Sequence, residues 1–261
     1  MNNLPIRNLI GIFMLAVVFV GSARAQGTGY NYRGIPAAIE ELDLGFPDKG
    51  KFTGQLDLQI VTQGAYLGVN NNPFAYWQRV HLRPWLQYHK SLKTVIATSI
   101  SYKKGFEIPP TGVKESDEYR FTLMGTFTQP KHFGAIYEQV RGEVKNTRKS
   151  TGEWTHVPRI RFRLGQQFKL GDSKHNPKLQ VYEEVMVKYQ EHTKGLDIVR
   201  AFAGYGWRVS EKVGATIGFI VQAQLKSNGT DFDVYFGPSF TVRFNLGHSK
   251  HPPPPPDPDI D

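Results

Sequence analysis

The chain has 261 residues, a formal net charge of +9 at neutral pH and no cysteine. The absence of thiols excludes a disulfide scaffold, a thiol nucleophile and a thiolate metal site, and the length suits one large β domain. The 32 basic residues are spread along the chain rather than clustered in one tract, so the charge does not predict a nucleic-acid partner.

The first 25 residues have the three parts of a secretory signal peptide. Arg7 supplies the positive region, Leu9 to Val20 form an apolar stretch, and Ala23-Arg24-Ala25 is a small-x-small cleavage site. An uncleaved anchor is the alternative, but the stretch is shorter than the roughly 20 residues that a transmembrane helix needs. We therefore predict an exported protein whose mature chain begins at Gln26.

From residue 52 to residue 246, apolar and polar residues alternate with the period of two that is typical of β-strands. Ten strands are predicted, at about residues 52–62, 77–88, 92–103, 118–128, 133–145, 157–168, 178–190, 197–209, 212–225 and 232–246. The fifth is ambiguous, because Glu138 shares the parity of its apolar residues. We expect an all-β fold, an antiparallel up-and-down transmembrane β-barrel of about ten strands, with eight or twelve as alternatives. Residues 26–51 are assigned to a periplasmic lead-in that precedes the barrel.

The connections between the predicted strands alternate in length. Those at 89–91, 129–132 and 210–211 are short, although that at 169–177 is longer. The other set is generally longer, at 63–76, 104–117 and 146–156, with shorter connections at 191–196 and 226–231. Outer-membrane barrels have short periplasmic turns, longer external loops and an even strand count. Ten strands would place both termini in the periplasm. Aromatic residues near predicted strand ends suggest interfacial girdles; they are Tyr76, Trp77, Tyr88, Tyr102, Tyr119, Tyr189 and Trp207.

The polar parity of the predicted strands is rich in charge. Its candidate lumen residues are Arg79, His81, Arg83, Glu118, Arg120, Arg159, Arg161, Arg163, Glu184, Arg200, Arg208 and Arg243, and Glu143 and Asp233 share the parity. One interpretation is an internal ion-pair network that fills a narrow lumen. The other is a narrow basic path that attracts anions.

No motif in the chain assembles a catalytic, cofactor or metal site. His81 lies on the polar parity between two arginines, and no partner that would make it a base is identifiable. Asp231 and Asp233 resemble half of a metal site, but a third ligand is not evident. We predict no catalytic residue, no cofactor and no metal.

The last predicted strand has the sequence FDVYFGPSFTVRFNL, with every second residue apolar. It resembles the assembly signal of bacterial outer-membrane barrels through Tyr235, Gly237, Phe240, Val242 and Phe244. Unlike that signal, it does not end the chain, because residues 247–261 follow as a proline-rich tail. The prolines favour an extended polyproline II segment, with a disordered end as the alternative.

Three segments resemble the domain-of-unknown-function 2490 family of exported, outer-membrane β-barrel-like proteins of Bacteroidetes type. They are RIRFRLGQQF (Arg159 to Phe168), YEQVRGE (Tyr137 to Glu143) and VYFGPSF (Val234 to Phe240). The resemblance covers most of the mature chain. It implies a fold and a location only, because the family brings no established activity.

The leading hypothesis is a porin-like, non-enzymatic barrel of a Gram-negative outer membrane, with a structural, assembly or small-solute and anion-passage role. Its partners would be outer-membrane lipid and the barrel-assembly machinery, and no nucleic acid is expected. The sequence does not predict an oligomeric state. One alternative is a barrel enzyme that acts on lipid at the membrane surface. Another is a soluble periplasmic barrel that binds an apolar ligand, with Phe236, Phe240 and Phe244 facing inward.

Overall fold

The computed structural model describes residues 31–47, 51–65, 69–108, 114–171, 173, 175–190, 193–225 and 231–246, which form a closed barrel of eleven strands. The strands are β1 Asn31–Pro47, β2 Phe52–Gln63, β3 Tyr76–Ser91, β4 Thr94–Gly105, β5 Ser116–Lys131, β6 Gly134–Lys149, β7 Trp154–Lys169, β8 Lys178–Gln190, β9 Thr193–Arg208, β10 Val213–Leu225 and β11 Asp231–Asn245. Strands that follow one another pair antiparallel, and β1 pairs parallel with β11 to close the barrel. Within these ranges, no helix has the length and apolar character needed to cross a membrane. The predicted signal peptide, 1–25, and tail, 247–261, lie outside the described residues.

The all-β closed barrel is confirmed, but it has one strand more than the ten predicted. The additional strand is β1, which occupies most of the segment assigned to a lead-in, so the barrel begins at Asn31 rather than residue 52. From Ile35 to Ile39 every side chain of β1 is buried, on both faces of the strand. A strand buried on both faces does not alternate, and the period of two therefore did not reveal it.

The eleventh strand also changes where the described chain begins and ends. Strands β1 and β11 run in the same direction, from Asn31 paired with Asp231 to Gly45 paired with Asn245. The first and last described residues therefore lie at opposite ends of the barrel, whereas the prediction of two termini on one side required an even strand count. We call the end that contains Pro47, Asn245 and the β3–β4 turn the turn end, and the opposite end the loop end.

The parallel seam between β1 and β11 depends on a glycine in the last strand. Gly237 has a φ of +157°, and a Cβ there would collide with the backbone oxygen of Ala37. The ladder pairs Pro36 with Phe236 and resumes at Ile39 with Ser239. Pairing with β1 is therefore interrupted at Gly237 and Pro238, and proline has no N–H to donate. Tyr235 and Gly237 of the predicted assembly signal lie on the inner face, and Phe240, Val242 and Phe244 lie on the outer face.

Candidate functional site: the charged interior

Charged side chains fill most of the interior on the loop-end side. Ten of the twelve predicted lumen residues are buried there: Arg79, His81, Arg83, Glu118, Arg120, Arg159, Arg161, Arg163, Glu184 and Arg200. Arg243 is half-buried at the turn end, and Arg208 is exposed at the same end. The twelve residues therefore share the face that the closed barrel turns inward, and only the two nearest the turn end are not buried.

Glu184 on β8 is the centre of the interior network. Its Oε2 accepts hydrogen bonds from Nε and Nη2 of Arg163, at 2.9 and 2.7 Å. Its Oε1 accepts from Arg161 Nη2 at 2.6 Å and from Arg200 Nη1 at 3.0 Å. Arg200 in turn donates to Gln222 Oε1 on β10, at 2.9 and 2.6 Å. One carboxylate thus connects four consecutive strands through short, charge-assisted hydrogen bonds.

Two further carboxylates extend the network around the wall. Glu143 on β6 accepts hydrogen bonds from Arg159 at 2.9 Å and from Arg161 at 3.0 Å. Glu118 on β5 lies 2.5 Å from Arg120 Nη2 and 2.8 Å from Lys103 Nζ. Because Arg161 contacts both Glu143 and Glu184, and Arg120 contacts both Glu118 and Glu143, the network is continuous from β4 to β10.

A second group of carboxylates lies beside the parallel seam. Asp57 on β2 accepts hydrogen bonds from Arg83 Nε at 3.0 Å and from the Trp85 indole at 2.8 Å. Glu41 on β1 lies 3.6 Å from Arg83 Nη2. Asp43, also on β1, accepts two hydrogen bonds from Arg243, at 3.0 and 2.5 Å. These contacts join β1 to β3 and β1 to β11, so ion pairs reinforce both sides of the added strand.

Aromatic rings form a layer on the turn-end side of the network. Tyr182 and Phe202 stack with ring centroids 5.0 Å apart, and the Arg163 guanidinium lies 4.3 Å from the Tyr182 ring centroid. Inward glycines leave space for the rings, since a Cβ at Gly165 would collide with Tyr137 and one at Gly218 would lie 2.5 Å from Phe202. The layer separates the ion network from the turn-end part of the interior.

Several network residues were not among the predicted lumen residues. They are Glu41, Asp43, Asp57, Lys103, Arg141 and Asp197, all buried. Arg141 and Glu143 share the inner parity of β6, which the outward Glu138 made ambiguous. Asp197 could not be found by alternation, because a register shift beside Met186 allows both Asp197 and Ile198 to be buried. The carboxylates of β1 were missed together with their strand.

The arrangement holds charges in fixed pairs instead of presenting them to an open cleft. Among the described residues, the buried charged side chains number nine cations and seven carboxylates. The described part of the chain contains no group of three or more His, Asp or Glu residues that could hold a metal ion. Leaving a buried charge without its partner strongly destabilises the folded state. Any register that separates these pairs is therefore disfavoured, and the network constrains the strands to one register.

The amino-acid sequence was compared with models of known protein families and with curated proteins. A family model described as "Protein of unknown function (DUF2490)" matches residues 49–233. This range runs from the β1–β2 connection into β11 and includes the whole Glu118–Glu143–Glu184 network. No curated protein matches the chain.

Proposed function

The chain belongs to the DUF2490 family of unknown function, and on this premise we propose that it is an outer-membrane β-barrel with a closed interior and a structural, non-enzymatic role. One observation carries the proposal: the apolar face of the wall is exposed and the charged face is buried. On β7, Phe162 is 48% exposed, whereas Arg161 and Arg163 are each 1% exposed. A soluble protein has the opposite arrangement.

The exposed apolar surface extends around the barrel. Exposed members on the outer face include Leu82, Leu86, Ile96, Ile100, Phe121, Leu123, Val140, Ile160, Leu164, Ile217, Phe219 and Val242. Soluble monomers rarely expose contiguous apolar patches larger than a few hundred Å². Phe240 is exposed and Phe236 lies on the same face, which argues against the soluble barrel that needed these rings inside. A lipid environment would cover this surface.

Aromatic pairs near both ends support the same location. Pairs near the loop end are Trp77–Phe106 and Tyr102–Tyr119, and pairs near the turn end are Phe52–Tyr88 and Phe133–Phe168. Trp77 and Tyr88 on β3 are separated by about 36 Å along the strand, or about 28 Å along the axis at a tilt of about 40°. This spacing is close to the apolar band of about 25 Å between the girdles of such barrels.

The closed interior favours a structural role over passage of solutes. Short ion pairs follow the inner wall from β4 to β9, and hydrogen bonds from Arg200 to Gln222 extend them to β10. The layer of Tyr137, Tyr182 and Phe202 covers them on the turn-end side. Barrel-assembly machinery would insert the chain, with β11 as the segment it recognises. Lipid would then be the principal partner of the outer face.

Cell fractionation tests the location. The full chain, produced with its first 25 residues, is expected in the outer-membrane fraction and should be released by detergent but not by high salt. Salt resistance distinguishes insertion from binding to the membrane surface by charge. Recovery of folded protein in the soluble fraction would contradict the proposal.

The excess of buried cations favours anion passage as a second candidate. Nine buried cations against seven carboxylates leave the described interior positive, and rings of cations select anions in pores. Planar-bilayer recording distinguishes the two roles. We expect no unitary conductance from the purified chain, and steady, anion-selective channels would support passage instead.

A further inference from the structure

The turn-end part of the interior contains a cavity of about 240 Å³. It lies below the aromatic layer and is lined by inward residues of β7, β8, β9, β10 and β11. Gly206 and Gly214 occupy inward positions without a side chain, and this accounts for the space. This volume is large enough for several water molecules or one small polar ligand.

The lining carries more positive than negative charge. Lys178, Arg208 and Arg243 contribute cations, and among the described lining residues Glu211 is the single carboxylate. Arg243 is paired with Asp43. Lys178 and Arg208 have no ion pair within the part of the chain that the structure describes, although Lys178 is only half exposed. Two cations at one small, partly enclosed site raise the local concentration of anions.

The neutral lining groups can form hydrogen bonds with the uncharged part of an anionic ligand. Gln167 and Gln180 supply amide donors and acceptors, and Thr216 and Thr241 supply hydroxyl groups. Arginine forms bidentate hydrogen bonds with phosphate and carboxylate groups. Trp207, Val213 and Ala215 of the outer parity also border the cavity, but no large apolar side chain of the inner parity does. A wholly apolar ligand would therefore leave the amide and hydroxyl groups without partners.

We propose that this cavity binds a small phosphorylated molecule, with Lys178 and Arg208 holding the phosphate and the amide and hydroxyl groups contacting the remainder. The site opens at the turn end, where Arg208 and Glu211 are exposed. The phosphate could belong to a free metabolite-sized anion or to a lipid headgroup. This inference is independent of the membrane location, because the cavity is part of the barrel interior in either setting.

Titration calorimetry on the purified full chain tests the site. Glycerol 3-phosphate and inorganic phosphate probe free anions, and phosphatidylglycerol doped into the detergent micelle probes a headgroup. We expect saturable binding in one of these arms. The double variant Lys178→Ala/Arg208→Ala should weaken it by about tenfold or more, the loss expected for charge-assisted hydrogen bonds. The matched control is Lys212→Ala, which removes an exposed cation at the same end but outside the cavity.

A second variant separates binding from folding. A Cβ at Gly214 would meet no atom closer than 3.8 Å, the Trp207 backbone oxygen, so Gly214→Leu should fill the cavity without disturbing the wall. It is expected to abolish binding while the barrel stays folded. Binding that survives both Gly214→Leu and the double variant would overturn the proposal, as would no binding in any arm at millimolar ligand.

Discussion

The loop-end and turn-end parts of the interior are lined largely by the same strands, yet one is packed and the other contains a cavity. On β9, Arg200 and Phe202 fill the lumen, and Gly204 and Gly206 follow on the same face toward the turn end. On β10, Gln222 is buried in the packed part, whereas Gly214 lines the cavity. The volume of the inward side chains, and not the number of strands, therefore decides where the barrel is closed.

The width of an eleven-stranded barrel explains why arginine side chains fill its packed part. An eight-stranded barrel is just wide enough for its side chains to fill it, so eleven strands leave more space than valine or leucine can span. Arginine is long, and its guanidinium can bond two carboxylates at once. Arg161 does this between Glu143 and Glu184. Long paired side chains thus close the wider lumen, and glycine leaves it open.

The largest expected effect comes from removing the centre of the packed part. Glu184→Ala would deprive Arg161, Arg163 and Arg200 of a shared carboxylate, and we expect a loss of about 3–5 kcal/mol of stability. Denaturant unfolding of the reconstituted barrel measures it. The matched control is Glu183→Ala, one residue away on the outer face, which should be neutral or stabilising. Equal losses in both variants would show that the network is not the source.

The corresponding change near the turn end should be milder. Asp43→Asn breaks the ion pair with Arg243, and we expect a loss of about 1.5–3 kcal/mol, as for a hydrogen bond to a charged group. The cost is smaller because Arg243 is half-buried and can turn toward the open mouth. The same unfolding experiment compares it with Glu184→Ala. A loss as large as that of Glu184→Ala would contradict the difference between the two parts.

The boundary between the two parts depends on small inward residues. Gly165→Ala would place a methyl group against the Tyr137 ring, and overpacking of this kind costs about 1–3 kcal/mol. Gly142→Ala is the control, because nothing lies within 4 Å of a Cβ there. Thermal unfolding followed by near-ultraviolet circular dichroism should show a lower transition for Gly165→Ala and little change for Gly142→Ala. A lower transition for Gly142→Ala than for Gly165→Ala would contradict tight packing of the aromatic layer.

The smallest effect is expected inside the cavity. Gly214→Leu fills part of an unfilled space and removes a glycine from a strand. Because the cavity opens to solvent at the turn end, its polar lining groups can stay hydrated, and stability should change by less than about 1 kcal/mol. The variant measures how much free volume the turn end contains. A loss of several kcal/mol would indicate that the turn end is packed as tightly as the loop end.

The alternation of the sequence located ten of the eleven strands and divided their residues between two faces, without deciding which face is inside. Ten of the twelve proposed lumen residues are buried on the face that closure turns inward. Exposed Phe162 between buried Arg161 and Arg163 is the clearest case. What alternation did not supply was β1, whose residues from Ile35 to Ile39 are buried on both faces.

Other features arose only from contacts between distant segments. The bulge that buries Asp197 depends on how β9 pairs with β8, and the seam at Gly237 depends on the passage of Ala37 beside it. The cavity is a property of several strands at once, since its glycines lie on β9 and β10 while its cations come from β8, β9 and β11. The sequence of one strand shows which of its residues share a face, but not which residues of other strands they contact.

The sequence by itself determined that the chain forms amphipathic strands with one apolar and one charged face, because that pattern is a local property of period two. The closed structure decided that the charged face is inside, that eleven strands close through a parallel seam, and that arginines fill one part while glycines leave the other open. These outcomes depend on which side chains meet across the lumen. Those contacts form only when β1 pairs with β11 and the barrel closes.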